Sequence, residues 1–294
     1  MELGIRPLSR FEYFAPQSLS SALDLLKEYG DGASLIAGGT DLIVWMKKHI
    51  VSPDVLIDIN KISELSFIKV KGDFLHVGAA TRLSSIKESP LVQEKAPLLA
   101  EAIGFLASHP IRNRATIGGN LCSASPAADS APPLLALNAS VILQSPDGER
   151  SLPISEFFAG PGQTAKMPDE VLRELQIPCK KGRSAFLKLG RRKGFTLSIA
   201  SAATFGVIKN GRFEEIRLAV GAVAPIPIRI KKAEELLRSS EVSEDGIEKA
   251  SKMICDEVNP ITDLRASAAY RREMVGLLAK RVLKKVAIGG EQTR

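Results

Sequence analysis

Between residues 115 and 131 nearly every side chain is Ala, Gly, Ser, Thr or Pro; the exceptions are Ile117, Asn120, Leu121, Cys122 and Asp129. A stretch this long and this small carries too little apolar volume to build a core of its own. It suits a place where backbone and hydroxyl groups wrap an extended polar ligand. Ser123, Ser125 and Asp129 have the right chemistry to bond ribitol, ribose or phosphate. A surface loop without a ligand is the competing reading, although Ile117, Leu121 and Cys122 argue for some burial. Both stay open at this point.

Inside that stretch, Thr116, Ile117, Gly118, Gly119 and Asn120 contain a glycine pair. A second pair sits in the segment Leu35, Ile36, Ala37, Gly38, Gly39, Thr40, Asp41 and Leu42. There the glycines stand between an apolar strand expected at 34–37 and a helix that Thr40 can cap, with Leu42, Trp45 and Met46 on one face. A strand-to-helix turn leaves backbone N–H groups unpaired at the positive end of a helix dipole, which favours an anion by roughly 0.3–1 kcal/mol. Missing Cβ atoms let a diphosphate approach the main chain. A tight turn with no ligand explains the same residues. Neither segment is a GxGxxG or GxxxxGK[ST] motif, so a dinucleotide bound here would not be held by a Rossmann fold.

The remaining pattern alternates short strands and helices. Strands are expected at 55–59, 67–70 and 74–78, the last two as a hairpin around Lys71, Gly72 and Asp73. Thr81 can cap a short helix, 91–107 carries a longer helical pattern, and a Pro-initiated helix runs to Leu137. Strands at 140–144 and 150–153 flank Pro146, Asp147 and Gly148, and a further strand is expected at 171–177. Composition shifts across Pro178, Cys179, Lys180, Lys181 and Gly182. Beyond it come a strand at 185–189 and a hairpin, 204–208 with 215–220, around Asn210-Gly211. Helices follow at 231–239, 245–257 and 267–286. The reading is α+β throughout, with helices covering one face of the later sheet. It divides the chain into a domain at 1–178, with subdomains of roughly 1–60 and 61–178, and a smaller α+β domain at 183–288.

Several function classes lose support from composition. The net charge is +7, but the positive residues are mostly dispersed. The clusters are Lys180, Lys181 and Arg183; Arg191, Arg192 and Lys193; and Lys280, Arg281, Lys284 and Lys285. A run of that kind is most often a solvated face. Aromatic residues make up 5% and no nucleic-acid motif occurs, so no nucleic-acid partner is expected. Cys122, Cys179 and Cys255 form no CxxC pair, and His49, His76 and His109 are isolated, so no metal site is expected from this chain. No apolar run reaches the length of a membrane span, and the first ten residues lack the apolar stretch of a secretory signal. A cytoplasmic address is the expectation.

The strings AGGTDLIVWMKK (37–48) and IRNRATIGGNLCSASPAADSAPPLLAL (111–137) together resemble the FAD-binding subunit of the xanthine dehydrogenase and carbon monoxide dehydrogenase family, the molybdenum hydroxylases. SAFLKLGRRKGF (184–195) resembles the start of that family's C-terminal domain, and the resemblance covers nearly the whole chain. It implies a two-subdomain FAD-binding fold of the vanillyl-alcohol-oxidase (PCMH) type, then a smaller α+β domain of the CO dehydrogenase flavoprotein type. Leu35 to Leu42 would cradle the diphosphate from one side and Thr116 to Asn120 from the other. Ser123 and Asp129 would bond the cofactor, Asp129 at a sugar hydroxyl. Leu106 and Leu172 would line its apolar surroundings, and Lys188 would approach the flavin ring. For Lys188, a strand lysine facing solvent is the other reading. Arg112, Arg114, Arg191 and Arg192 divide equally between a phosphate role and salt bridges that tie the domains together. Relatives acting on aromatic acyl-CoA thioesters carry a cysteine-rich insertion for an extra cluster, which this chain lacks; Cys122 reads as a small neutral residue beside the flavin loop.

The resemblance further implies one FAD, a large molybdopterin-containing partner and a small 2Fe–2S partner, assembled as a dimer of heterotrimers. Electrons would pass from the iron–sulfur clusters to FAD and on to NAD, a quinone or oxygen, with no catalytic acid or base in this chain. Two rivals stand beside this reading. A self-sufficient flavin oxidase or reductase would need an acid–base constellation that is not evident. A non-catalytic basic module rests only on the pI of about 9.3.

Overall fold

The computed structural model describes residues 7–192 and 194–288, so Lys193 of the second basic cluster and the first six residues of the expected first domain lie outside it. The chain opens with β1 (Glu12–Phe14), α1 (Leu19–Tyr29), β2 (Ala33–Ile36), α2 (Leu42–Lys47) and β3 (Val55–Asp58). The strands form a parallel sheet in the order β1-β3-β2. Val55, Leu56 and Ile57 of the central strand are all buried, as a strand covered on both faces requires. Leu19, Ala22, Leu23 and Leu26 line up on one face of α1 and join the same core.

The next unit contains β4 (Ile68–Lys71), β5 (Phe74–Gly78), α3 (Leu83–Glu88), α4 (Pro90–Lys95), α5 (Pro97–Phe105), α6 (His109–Arg112), α7 (Ile117–Cys122) and α8 (Ala131–Ala136). It continues through β6 (Ser140–Ser145), β7 (Gly148–Pro153), α9 (Ile154–Phe157), β8 (Phe158–Gly160), β9 (Gln163–Thr164) and β10 (Val171–Pro178). A five-stranded antiparallel sheet, ordered β4-β5-β10-β6-β7, runs through it. The pairing of β10 with β6 shifts register between Leu172 and Glu174, a bulge of the kind that re-aims side chains near sites.

Local rules miss some details here. The helical pattern over 91–107 is two helices, because Pro97 has no N–H to continue α4 and instead opens α5. Thr81 does not cap α3; its hydroxyl donates to the carbonyl of Phe67 at 3.1 Å and accepts from the Phe67 N–H at 3.2 Å. Thr40 does not cap α2 either: Asp41 occupies the cap position and makes no side-chain capping bond. The small-residue stretch is not all loop, since Thr116 accepts the Gly119 N–H at 3.1 Å and so starts α7.

The last unit has β11 (Arg183–Leu189), β12 (Ala200–Lys209), β13 (Arg212–Gly221) and β14 (Ile228–Arg229), an antiparallel sheet in sequence order. Asn210 and Gly211, at φ 51° and 73°, make the tight turn expected between β12 and β13. α10 (Lys231–Ser239), α11 (Glu244–Glu257) and α12 (Ala268–Ile288) cover one face of the sheet. The other face is buried as well. Phe186, Ala203, Phe205 and Ala219 belong to the core of the preceding unit, while Ala185, Ala202 and Leu218 face the helices.

Candidate functional site

A cleft of about 320 Å³ lies where the β2–α2 turn faces α7 and the start of β10. That is within the size range of small-molecule sites. Its walls include Leu35, Ile36, Ala37, Gly38, Gly39, Thr40, Asp41 and Leu42 from one side. Thr116, Gly118, Gly119, Asn120, Cys122 and Ser123 come from the other, and Leu172 closes it beside the bulge.

The two glycine segments do different work. Among the described residues, the backbone N–H groups of Gly38, Gly39, Thr40 and Asp41 have no hydrogen-bond acceptor. Gly39 holds φ +69°, which lets the chain turn from strand to helix. A Cβ on Gly38 would collide with the backbone of Arg114 and Ala115, so its smallness lets the two segments approach. In the second segment four of the five N–H groups, those of Ile117 to Asn120, are already spent. Ile117 donates to Thr81 at 3.1 Å, Gly118 to Ala79 at 2.8 Å, and Gly119 and Asn120 to the hydroxyl and carbonyl of Thr116. This segment therefore offers side chains and close approach rather than a row of free donors. Ile117 faces the core and is fully buried. A Cβ on Gly118 would meet Ala79 at 2.6 Å, whereas one on Gly119 would meet only the Thr116 hydroxyl, at 3.0 Å, and otherwise enters the cleft.

Side chains link the walls. Ser123 donates to the Asp41 carboxylate at 2.7 Å, clasping the two segments together. Ser130 donates to Asn120 Oδ1 at 2.6 Å and so orients that amide.

Leu106, Asp129 and Lys188 are not among the residues lining the cleft. Leu106 packs in the core. Lys188 is neither a solvent-facing strand lysine nor free: its ammonium bonds Asp129 Oδ2 at 2.6 Å, the Phe105 carbonyl at 3.1 Å and the Thr196 carbonyl at 3.0 Å. Ser198 donates to the other oxygen of Asp129. Burial pushes the Asp129 carboxyl up, against the ammonium and hydroxyl that favour its charge. The pair crosses from β11 to the segment after α7.

None of the four arginines lines the cleft, and among the described residues none of them forms an ion pair. Arg112 instead donates to the carbonyls of Leu106 and Ala107 at 2.9 and 3.0 Å, bracing a turn in which Ala107 holds φ 51°. Arg192 bonds the carbonyl of Phe195.

Sequence reading passed over Lys166, Pro168, Trp45 and Ile59, all on the cleft wall. Trp45 was visible only as a helix-face residue. Lys166 sits in no motif, and its position depends on the β9–β10 connection folding back. Cys122 also lines the cleft, and burial pushes its thiol up to about 11, so it is neutral at physiological pH. No group of three or more His, Cys, Asp or Glu suited to a metal occurs among the described residues, and no described helix is long and apolar enough to cross a membrane.

Residues 9–180 match the family described as the FAD binding domain in molybdopterin dehydrogenase, and residues 185–286 match the CO dehydrogenase flavoprotein C-terminal domain. The chain is 34% identical to the glyceraldehyde dehydrogenase medium chain of Sulfolobus acidocaldarius over 278 residues, covering 94% of this chain and 98% of that one. It is 35% identical to the carbon monoxide dehydrogenase medium chain of Hydrogenophaga pseudoflava over 277 residues, covering 93% and 96%. Its fold superposes on a chain of the solved carbon monoxide dehydrogenase from Hydrogenophaga pseudoflava with a TM-score of 0.93, covering 97% of this chain and 99% of that chain at 35% identity.

Proposed function

The chain belongs to the family of FAD-binding medium subunits of molybdopterin dehydrogenases, and from that premise we propose that it holds FAD in the cleft between its two glycine segments. It is an oxidoreductase subunit of the xanthine and CO dehydrogenase family, and its cofactor is FAD. The flavin, when bound, supplies the ability to take up electrons singly and release them in pairs.

The observation that carries the siting is the run of unpaired N–H groups from Gly38 to Asp41, set across the cleft from the open side of Gly119. Unpaired donors beside glycines form a concave site suited to a diphosphate. In this reading Leu35, Ile36, Ala37, Leu42 and Leu172 keep water from the cofactor. Thr116 holds Gly119 in place, Gly118 seats α7 on Ala79 just after β5, and Ile117 anchors that turn from within the core. Asn120 and Ser123 present polar atoms to the ligand. Lys188 and Asp129 stand at the flavin-ring end, with Leu106 packed behind them. Phe105, Phe195 and Leu197 support that placement, because they expose apolar side chains on the segments that surround the pair.

The same proposal names the partners: a large molybdopterin-containing subunit and a small 2Fe–2S subunit, as a cytoplasmic dimer of heterotrimers. The iron–sulfur subunit delivers the electrons, and NAD, a quinone or oxygen removes them. The relatives' designation as medium chains supports a multi-subunit assembly. We divide the chain into a cofactor domain at 1–178, with subdomains near 1–60 and 61–178, and a C-terminal domain at 183–288; the two family matches support that division.

A visible absorption spectrum of the purified chain, with the cofactor released by heating, tests the reading. The expected result is a flavin spectrum with close to one FAD per chain. Protein that is colourless and takes up no added FAD would overturn it.

A further inference from the structure

The proposed cofactor carries phosphate charge, yet the walls of the cleft are poor in cations. Among the described residues lining it, Asp41 is the sole carboxylate and Lys166 the sole cation. Without Lys166 the walls would be net negative where a diphosphate has to enter. Backbone N–H groups supply only partial charges, and a dianion leaving water needs more than that.

Lys166 is held ready for such a group. Its ammonium donates to the carbonyls of Met167 at 2.8 Å and Glu170 at 3.0 Å. Two of its three protons are thereby placed, and the third has no acceptor among the described residues. The carboxylate that sequence proximity would offer it is engaged elsewhere. Glu170 accepts Arg150 at 2.6 and 2.9 Å and the Met167 N–H at 2.7 Å. Asp169 is half-buried and forms no ion pair with Lys166, and Cys122 is a neutral thiol. Burial lowers the pKa of the Lys166 amine, and Glu170 and Asp169 oppose this only in part. That is the state of a cation lacking a counter-charge.

We propose that Lys166 is the cationic arm of the cofactor site, donating its free N–H to a phosphoryl oxygen opposite the Gly38–Gly39 turn. The assignment rests on the reading that the cleft holds FAD. It gives the site a two-sided diphosphate grip, neutral backbone donors on one wall and a full charge on the other.

The test uses the full chain stripped of flavin and titrated with FAD across a series of salt concentrations. Lys166→Gln keeps donors for the two carbonyls and removes the charge; Lys166→Arg keeps the charge. Lys166→Gln is expected to weaken FAD binding about tenfold or more and to flatten the dependence of affinity on salt, as loss of one charge contact does. Lys166→Arg is expected to retain the salt dependence, and both apo-variants to unfold near the parent temperature. Unchanged affinity in Lys166→Gln would overturn the assignment while leaving the cofactor reading intact. So would weakened affinity with an unchanged salt dependence and a shifted spectrum of the bound flavin, which would move Lys166 to the ring. A parent chain that takes up no FAD would overturn both. If Lys166→Gln does not fold, Lys166→Met carries the same comparison.

Discussion

Four glycines in the two segments look alike in the sequence and serve three separate ends. Gly38 and Gly118 are small because protein backbone or Ala79 fills the space beside them, Gly39 because its φ is positive, and Gly119 because it opens on the cleft. The pairs themselves were legible; their division of labour was not, since it depends on Arg114 and Ala79, far away along the chain. Substitutions should separate these roles. Gly119→Val is expected to fold and lose FAD retention, whereas Gly118→Val is expected to fail in folding, because its side chain meets Ala79 rather than empty space. The flavin-to-protein absorbance ratio and the apo-protein melting temperature check the pair; full FAD occupancy in Gly119→Val would remove that glycine from the site. Asp129 and Lys188 present the converse case. Both were picked out by resemblance, but their partnership is a tertiary fact. Their side chains are only 5% and 7% exposed, so Asp129→Ala strands an ammonium in the interior. The expected loss is roughly 3–5 kcal/mol in denaturant unfolding. A loss below about 1 kcal/mol would mean that Lys188 swings out to water without its partner.

At the scale of elements, turns governed by their own residues were readable and caps governed by distant ones were not. Asn210-Gly211 dictates its hairpin because both residues accept positive φ, and no tertiary contact is needed to see it. Thr81 and Thr40 have the right chemistry to cap a helix, yet Thr81 is claimed by Phe67 and α2 begins without a side-chain cap. Thr116, read only as part of a ligand loop, is the residue that does cap, and through α7 it sets the position of Gly119, Asn120 and Ser123. Thr116→Val is therefore expected to cost about 1 kcal/mol of stability and to weaken FAD binding in proportion. Calorimetry with and without added FAD checks this. Stability loss with unaltered FAD affinity would show that α7 holds its shape by packing alone.

Across the whole molecule, the joint between the cofactor region and the last sheet is a shared core. β11 alternates: Ala185, Leu187 and Leu189 face the C-terminal helices, while Phe186 and Lys188 face the preceding unit. Phe186 is fully buried, approaches Phe105 at 6.1 Å and donates its N–H to Glu101 at 3.0 Å. Two residues further on, Lys188 reaches Asp129, so one strand face carries both the apolar and the ionic part of the joint. Sequence reading expected helices over one face of this sheet and had no signal for the second, because Ala203 and Ala219 are too small to mark a buried face by hydrophobicity alone. The shared core implies that the two regions unfold together, as a single transition. Phe186→Ala is expected to lower stability by about 3–5 kcal/mol. It is also expected to weaken FAD retention, although Phe186 does not line the cleft, because the Lys188–Asp129 pair loses its backing. Differential scanning calorimetry of the parent and variant, with bound flavin followed in the same samples, decides the matter. Two separate transitions in the parent would mean that the regions are independent despite their common core. A variant that loses stability yet keeps FAD with parent affinity would place the joint outside the structure that supports the cofactor.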